Sequence, residues 1–208
     1  MKNFFTKNSQ NFLNRKVVAV IPDKTRDFHP KIFPPLISKN LKKLTSDFSF
    51  IIALGLHKKL TKKELAQFLG KGFLRQNKVL QHCLEDTVFL KNIRKIPLFI
   101  NRNILDSEVI ITLGVVEPHL YAGFSGGVKC LGIGLAGRET ILYTHSFNFL
   151  RKREVSLANL DNNPFQQFLW GVPQILGKRI YSLNIVNNLN KEVVFYLFLK
   201  VKIHLRRE

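Results

Sequence analysis

An α/β fold built on a mainly parallel sheet, with flanking helices and ligand loops at the strands' carboxyl edge, follows from three observations. Three short runs, VVAVIP (17–22), FSFIIAL (48–54) and VIITL (109–113), are close to apolar throughout rather than alternating, the pattern of strands buried on both faces. Segments of helical period lie between the first two runs. Each run is followed by a polar cluster: Asp23 and Arg26, then His57, then Glu117 and His119. In open α/β sheets that edge is where ligands bind.

A chain of 208 residues is long enough to bury a real core, and no linker or repeat divides it, so a single domain over 1–208 is expected. Hydrophobic content of 45% with 23% charged residues excludes a disordered chain. The net charge of +19 invites a nucleic-acid reading, but its distribution argues against one. Residues 101–150, the glycine-rich region, carry only three basic and four acidic groups, and the lysine surplus is spread over the rest. Apolar runs such as 17–22 and 193–199 are too short to span a bilayer, so no membrane role is expected. The first residues lack the continuous apolar stretch of a signal peptide, which makes the cytoplasm the expected location. Cys83 and Cys130 are too few for a disulfide framework, and no second Cys/His pair at zinc spacing accompanies His82 and Cys83.

Taken in order, residues 1–15 read as a loosely ordered lead before the first strand, and Asp23, Thr25 and Arg26 sit on the loop after it. Apolar spacing at Ile32, Phe33, Leu36, Ile37, Leu41 and Leu44 predicts a helix following Pro34-Pro35. After the second strand comes the loop Gly55-Leu56-His57, then a helix announced by Thr61 and Glu64 at capping-box spacing. Residues 73–101 are less regular: VLQHCLEDTVFL suits a strand or a short helix, and 96–105 a strand and turn. Beyond the third strand, 147–177 reads as mostly helical, with Asn163-Pro164 as a helix start. A final strand pair follows across the Asn188–Lys191 turn, and residues 195–208 form a divergent tail.

The chain is organised around Val115–Ser146, where Gly123, Ser125, Gly126 and Gly127 stand close to His119, Lys129 and His145. Glycines at this density mean backbone that turns sharply or approaches something closely. GFSGGVK suits a nest of backbone N–H groups around a phosphate, although it is not a Walker loop because nothing hydroxylic follows Lys129. His119 and His145 could hold a metal, without any HExxH or CxxC companion. Histidines on different strand-end loops also suit acid–base work on the two sides of one small molecule. Spacing alone leaves these three open.

DKTR, ALGLHKKLTKKEL, EPHLYAGFSGGVK, TH and LDNNP, spread from about Val17 to about Val194, together resemble the N-terminal domain of the nickel-pincer lactate racemase family. The resemblance implies a pyridinium bisthiocarboxylate mononucleotide carrying nickel, and racemisation or epimerisation of a 2-hydroxy acid by reversible hydride transfer. Position by position, it makes Lys129 the covalent cofactor attachment and His145 the nickel ligand. Gly123, Ser125, Gly126 and Gly127 become cofactor contacts. His57 and His119 become the pair that takes and returns the hydroxyl proton, and Arg26, with Asp23 in the same motif, the grip on the substrate. Asp27, Lys58-Lys59 and Phe124 depart from the family's usual residues at their positions. The family also carries a second domain that closes over the cofactor. The sequence stops at Glu208, with His204 in its last stretch, so the expected partners are a separate subunit supplying that domain or further copies of this chain. The alternative expectation is a truncated or non-catalytic module that binds the cofactor or a small acid.

Overall fold

The computed structural model describes residues 1–201. Helix α1 (Lys2–Lys7) and a 3-10 turn lead into β1 (Val17–Pro22), whose six residues are all buried. Its β-branched side chains pack well on both faces of a pleat, and Pro22, which has no N–H to donate, ends it. Helix α2 (Phe33–Leu41) takes Pro34 and Pro35 in its first turn, where a missing N–H costs nothing. After β2 (Phe48–Ala53), α3 (Lys62–Leu69) opens with the expected capping box. The Glu64 amide donates to Thr61 Oγ1 at 3.2 Å and the Thr61 amide to Glu64 Oε2 at 2.9 Å. Then come α4 (Lys71–Gln76), β3 (Val79–Gln81), and the antiparallel pair β4 (Thr87–Ile93) and β5 (Ile96–Asn101).

β6 (Val109–Val115) is again buried along its whole length. Two very short strands, β7 (Pro118–His119) and β8 (Gly123–Phe124), pair with each other ahead of α5 (Gly127–Gly132). The remaining elements are α6 (Arg138–Thr144), α7 (Phe147–Leu150), α8 (Pro164–Leu176), β9 (Arg179–Asn187) and β10 (Val193–Lys200). The main sheet runs β10-β9-β6-β1-β2-β3, and its pairings are parallel except for β9 with β10.

The chain thus winds outward from β1 through β2 to β3, returns to the other side of β1 as β6, and continues to β9. Such a reversal opens a crevice at the carboxyl ends of the two strands flanking it. Here those strands are β1 and β6. Alternate strand residues feed two cores. Val18, Val20, Ile51 and Ile110 pack with Leu131, Phe168, Val172 and the β4–β5 pair, while Val17, Ala19, Ile21, Phe50 and Ile111 pack with Phe5, Phe33, Ile37 and Leu69. Each fully buried side chain of this size contributes about 1.5–3 kcal/mol, so the two helix layers hold β1 and β6 rigidly beneath the crevice. Among the described residues, no helix is long and apolar enough to cross a membrane.

Two expectations need correction. Residues 1–15 are not a loose lead: Phe5 and Phe12 are buried, and Phe4 stacks on Phe198 with ring centroids 3.8 Å apart. Residues 79–105 agree with the strand and the strand-and-turn expected there, and add a hairpin turned by Arg94 and Lys95, both at positive φ. Residues 151–162 are not helical, because Ala158 and Asn162 adopt left-handed backbone and the Ala158 amide donates to Gly123 O at 3.0 Å. The helix start at Asn163-Pro164 stands, with Asn163 Oδ1 accepting the Phe165 amide at 2.9 Å. Of the tail, residues up to Lys200 complete β10 against β9, whereas His204 lies outside the described residues.

Candidate functional site

A cleft of about 440 Å³ opens at the carboxyl ends of β1, β2 and β6. Eight of the ten residues expected at a site line it: Asp23, Arg26, His57, His119, Ser125, Gly126, Lys129 and His145. They arrive on four separate segments, which is why spacing alone could not bring them together.

The three histidines are fixed in different ways. His57 Nδ1 bonds to Asp23 Oδ2; a carboxylate only accepts, so the neutral ring carries its proton on Nδ1 and a lone pair on Nε2. The other carboxylate oxygen, Oδ1, accepts from the Thr25 amide at 3.0 Å and the Thr25 hydroxyl at 2.5 Å. Asp23 is buried with both oxygens engaged, one of them by His57. His145 Nδ1 lies 2.9 Å from Ile141 O, again an acceptor only, which leaves Nε2 as the open nitrogen. His119 is the reverse, with Nδ1 receiving the amides of Tyr121 and Ala122, both at 3.2 Å.

Lys129 and Arg26 put positive charge into the cleft. Burial lowers the Lys129 amine from 10.5 to about 8, and the Arg26 charge pushes the same way. Burial likewise lowers His119 to about 4, helped by Lys129, Arg26 and His145. Partial desolvation pulls His145 below its ordinary value; its bond to Ile141 opposes this and the Lys129 charge adds to it. Cys130, beside Lys129 in the cleft, is pushed by burial up to about 12, so its thiol stays protonated and Lys129 is the stronger nucleophile of the two. The Arg26 guanidinium is held by the Glu117 carboxylate, both partners being partly exposed.

The glycine-rich loop is built mostly by packing. Ser125 Oγ accepts from the Glu117 amide at 3.1 Å and donates to Val115 O at 2.6 Å, which ties the loop's two ends together. Gly123 and Gly127, expected as cofactor contacts, do not line the cleft. At Gly123 the backbone has φ +71°, and a Cβ would strike the Asn159 carbonyl. At Gly127 a Cβ would meet the Ser182 and Thr112 hydroxyls, and its amide already donates to Asn184 Oδ1 at 3.0 Å. The phosphate-nest reading therefore lacks its first donor. Gly114 supports the loop from the sheet, since a Cβ there would overlap the Gly126–Gly127 peptide. Gly114→Ala is expected to force the loop off the sheet, costing about 1–3 kcal/mol and lowering the melting temperature; calorimetry of the variant checks it.

Two residues at the site, Thr25 in the cleft wall and Glu117 behind Arg26, were not among the expected site members. Thr25 holds Asp23, and Glu117 holds Arg26. Thr25 stood inside the DKTR motif and Glu117 two residues before His119, so adjacency was the available signal. His82, by contrast, is structural: it bonds Ala136 O through Nε2 at 3.1 Å and receives Asn101 Nδ2 on Nδ1 at 3.1 Å.

A family model described as the lactate racemase N-terminal domain matches residues 5–157. The lactate racemase of Lactiplantibacillus plantarum is 25% identical over 184 residues, 86% of this chain and 43% of that protein. The lactate racemase of Thermoanaerobacterium thermosaccharolyticum is 27% identical over 170 residues, 78% of this chain and 40% of that protein. The chain thus spans less than half the length of these curated relatives. The structure of the Thermoanaerobacterium lactate racemase apoprotein superposes with a TM-score of 0.87 at 23% identity, over 94% of this chain and 48% of that one. A crystal structure of a Thermotoga maritima protein gives 0.72 at 22%, over 95% and 53%. At these identities the two structures show a shared fold.

Proposed function

Because the chain belongs to the family of lactate racemase N-terminal domains, we propose that its cleft holds a nickel-pincer nucleotide and racemises or epimerises a 2-hydroxy acid. One observation carries the reading: a lysine with its amine lowered to about 8 shares a cleft with a histidine whose Nδ1–H is tied to a backbone carbonyl. An amine that loses its proton near neutral pH suits attack on a thioacid carbon. A metal-bound imidazole characteristically donates its other N–H to a carbonyl, as His145 does to Ile141. The donor set fits as well. Among the described residues no three His, Cys, Asp or Glu side chains converge on a point where they could hold a metal ion. A nickel that brings carbon and sulfur ligands of its own needs only one from the protein, and neutral imidazole suits it.

When bound, the nucleotide supplies a hydride acceptor; the chain supplies the rest. Lys129 would hold the nucleotide covalently and His145 the metal. Arg26 takes the substrate carboxylate in a forked, charge-assisted pair, for which Glu117 has to yield. His57 Nε2, with Asp23 behind the ring, accepts the hydroxyl proton, and His119 lines the same cleft. Hydride chemistry needs water kept out, and Leu56 and Leu142, both lining the cleft, are 45% and 57% exposed. That apolar rim fits a covering partner, which we propose is a C-terminal-domain subunit, with a second copy of this chain as the other candidate.

The test is to produce the protein together with the enzymes that make the nucleotide, then measure intact mass and nickel content. The expected result is one adduct and one nickel per chain, the adduct mapping to Lys129. An unmodified, nickel-free chain overturns the reading, while a loaded chain without turnover beside any supplied partner identifies a binding module.

A further inference from the structure

We infer that Glu117 is a built-in stand-in for the substrate carboxylate: it pairs with Arg26 until an acid enters, and the acid binds by taking the guanidinium from it. The inference rests on the proposed reading, in which Arg26 grips a 2-hydroxy acid.

The Arg26 guanidinium donates through Nη1 to Glu117 Oε1. A forked pair with a carboxylate uses two parallel N–H groups of the guanidinium, and Glu117 already holds one of its nitrogens. Glu117 cannot follow Arg26 into such a pair, because its main chain is tied to the glycine loop. Its amide donates to Ser125 Oγ at 3.1 Å, and its carbonyl accepts the Ser125 amide at 2.9 Å. Arg26 is anchored separately, its amide donating to Asp23 O at 3.3 Å and its carbonyl accepting the Phe28 amide at 2.9 Å. Only side-chain rotation joins or parts the two. Parting them costs little, since the side chains are 39% and 42% exposed and the released carboxylate returns to water.

The charges say why a carboxylate stands there. Arg26 and Lys129 share the cleft, and after burial it is the Arg26 charge that most lowers the Lys129 amine, with Glu117 and Asp23 among the groups opposing it. Of those two carboxylates, Asp23 is occupied by His57 and Thr25. Glu117 is the one that can be exchanged. Trading one carboxylate for another leaves no unpaired charge beside Arg26. A neutral ligand offers the guanidinium less than Glu117 does and fails to displace it. The pair therefore selects ionised acids over their amides, at a cost in affinity equal to the contact that is broken.

Titration of the purified chain with lactate and with lactamide, followed by NMR, tests this. Wild-type protein is expected to bind lactate and not lactamide, and the carboxyl carbon-13 signal of Glu117 to shift as lactate binds. Glu117→Gln and Glu117→Ala are expected to bind lactate roughly fivefold more tightly, the upper worth of a partly exposed ion pair. Melting curves check that both variants fold, and the nearly isosteric glutamine covers the case in which alanine loosens the loop. Weaker binding in the folded variants would mean that Glu117 only positions Arg26, and unchanged binding that the pair is idle; either overturns the stand-in while leaving the grip of Arg26 intact. Lactate binding that is equal in Arg26→Met, or absent from every chain, overturns the grip itself and the stand-in with it.

Discussion

Lys129→Arg and Lys129→Met are expected to carry no covalent adduct under conditions that load the wild-type chain fully, as read by intact mass. The arginine variant keeps the positive charge but not the nucleophile, because a guanidinium does not lose its proton in proteins. It therefore separates attachment from electrostatic attraction. Lowering the amine from 10.5 to about 8 raises the share of free amine near neutral pH by about 300-fold. Adduct formation should accordingly speed up as the pH rises to about 8 and level off above it. The same shift has a consequence for stability. Between about 8 and 10.5 the unfolded chain holds the lysine proton and the folded chain does not, so wild-type stability rises with pH across that window. Below it both states are protonated and the folded state bears the full cost of the enclosed charge. Lys129→Met should therefore melt above the wild type at pH 7, and the gap should close as the pH approaches 10.5. A gap that does not change with pH would mean the amine is not desolvated, and that its reactivity needs another source.

The parts of the fold that sequence made legible are those where pattern and packing demand the same thing. β1 and β6 are buried on both faces, so their apolar runs could be read as central strands without any knowledge of partners. The Thr61–Glu64 cap and the Asn163-Pro164 start are local devices that need no tertiary context. The β4–β5 hairpin was hidden because its turn is made by Arg94 and Lys95, neither of which advertises positive φ as Asn-Gly would. Residues 151–162 were hidden for the opposite reason. Their composition permits a helix, and what prevents one is bonding to the distant glycine loop, including Ala158 to Gly123 and Asn163 to Tyr121. The site shows the same division. Which residues share the cleft could be read from the motifs, since eight of the ten expected do line it. What each ring nitrogen does could not, because tautomers are set by groups such as Ile141 O and the Ala122 amide that no side-chain pattern records. Gly123 and Gly127 do not line the cleft, and a glycine kept for want of space beside Asn159 or Ser182 looks, in sequence, like one kept for a ligand.

Asp23→Asn is expected to disable turnover of the cofactor-loaded protein while leaving the fold in place, and the hydrogen bonds around it say how. Oδ1 of residue 23 accepts two bonds from Thr25, so an asparagine will keep its oxygen there and turn its amide nitrogen toward His57. An NH₂ group facing His57 Nδ1 forces the ring's proton onto Nε2, and the lone pair that His57 offers the substrate is lost. The rate should fall on the order of 10²–10⁴-fold, the usual contribution of a positioned base, with KM little changed because Arg26 still holds the carboxylate. His57→Ala should fall as far, and the double variant no further, since both remove the same proton acceptor. Nitrogen-15 spectra of Asp23→Asn should show the His57 proton moved from Nδ1 to Nε2. A variant with the tautomer switched yet with the wild-type rate would place the base elsewhere in the cleft. His119, Lys129 and His145 are the remaining groups there with a ring or amine nitrogen, and the last two are committed by the proposed reading to the cofactor. That outcome would therefore leave the role to His119 or count against the attachment, and the adduct on Lys129 decides between them, so the two predictions stand as one test of a single arrangement.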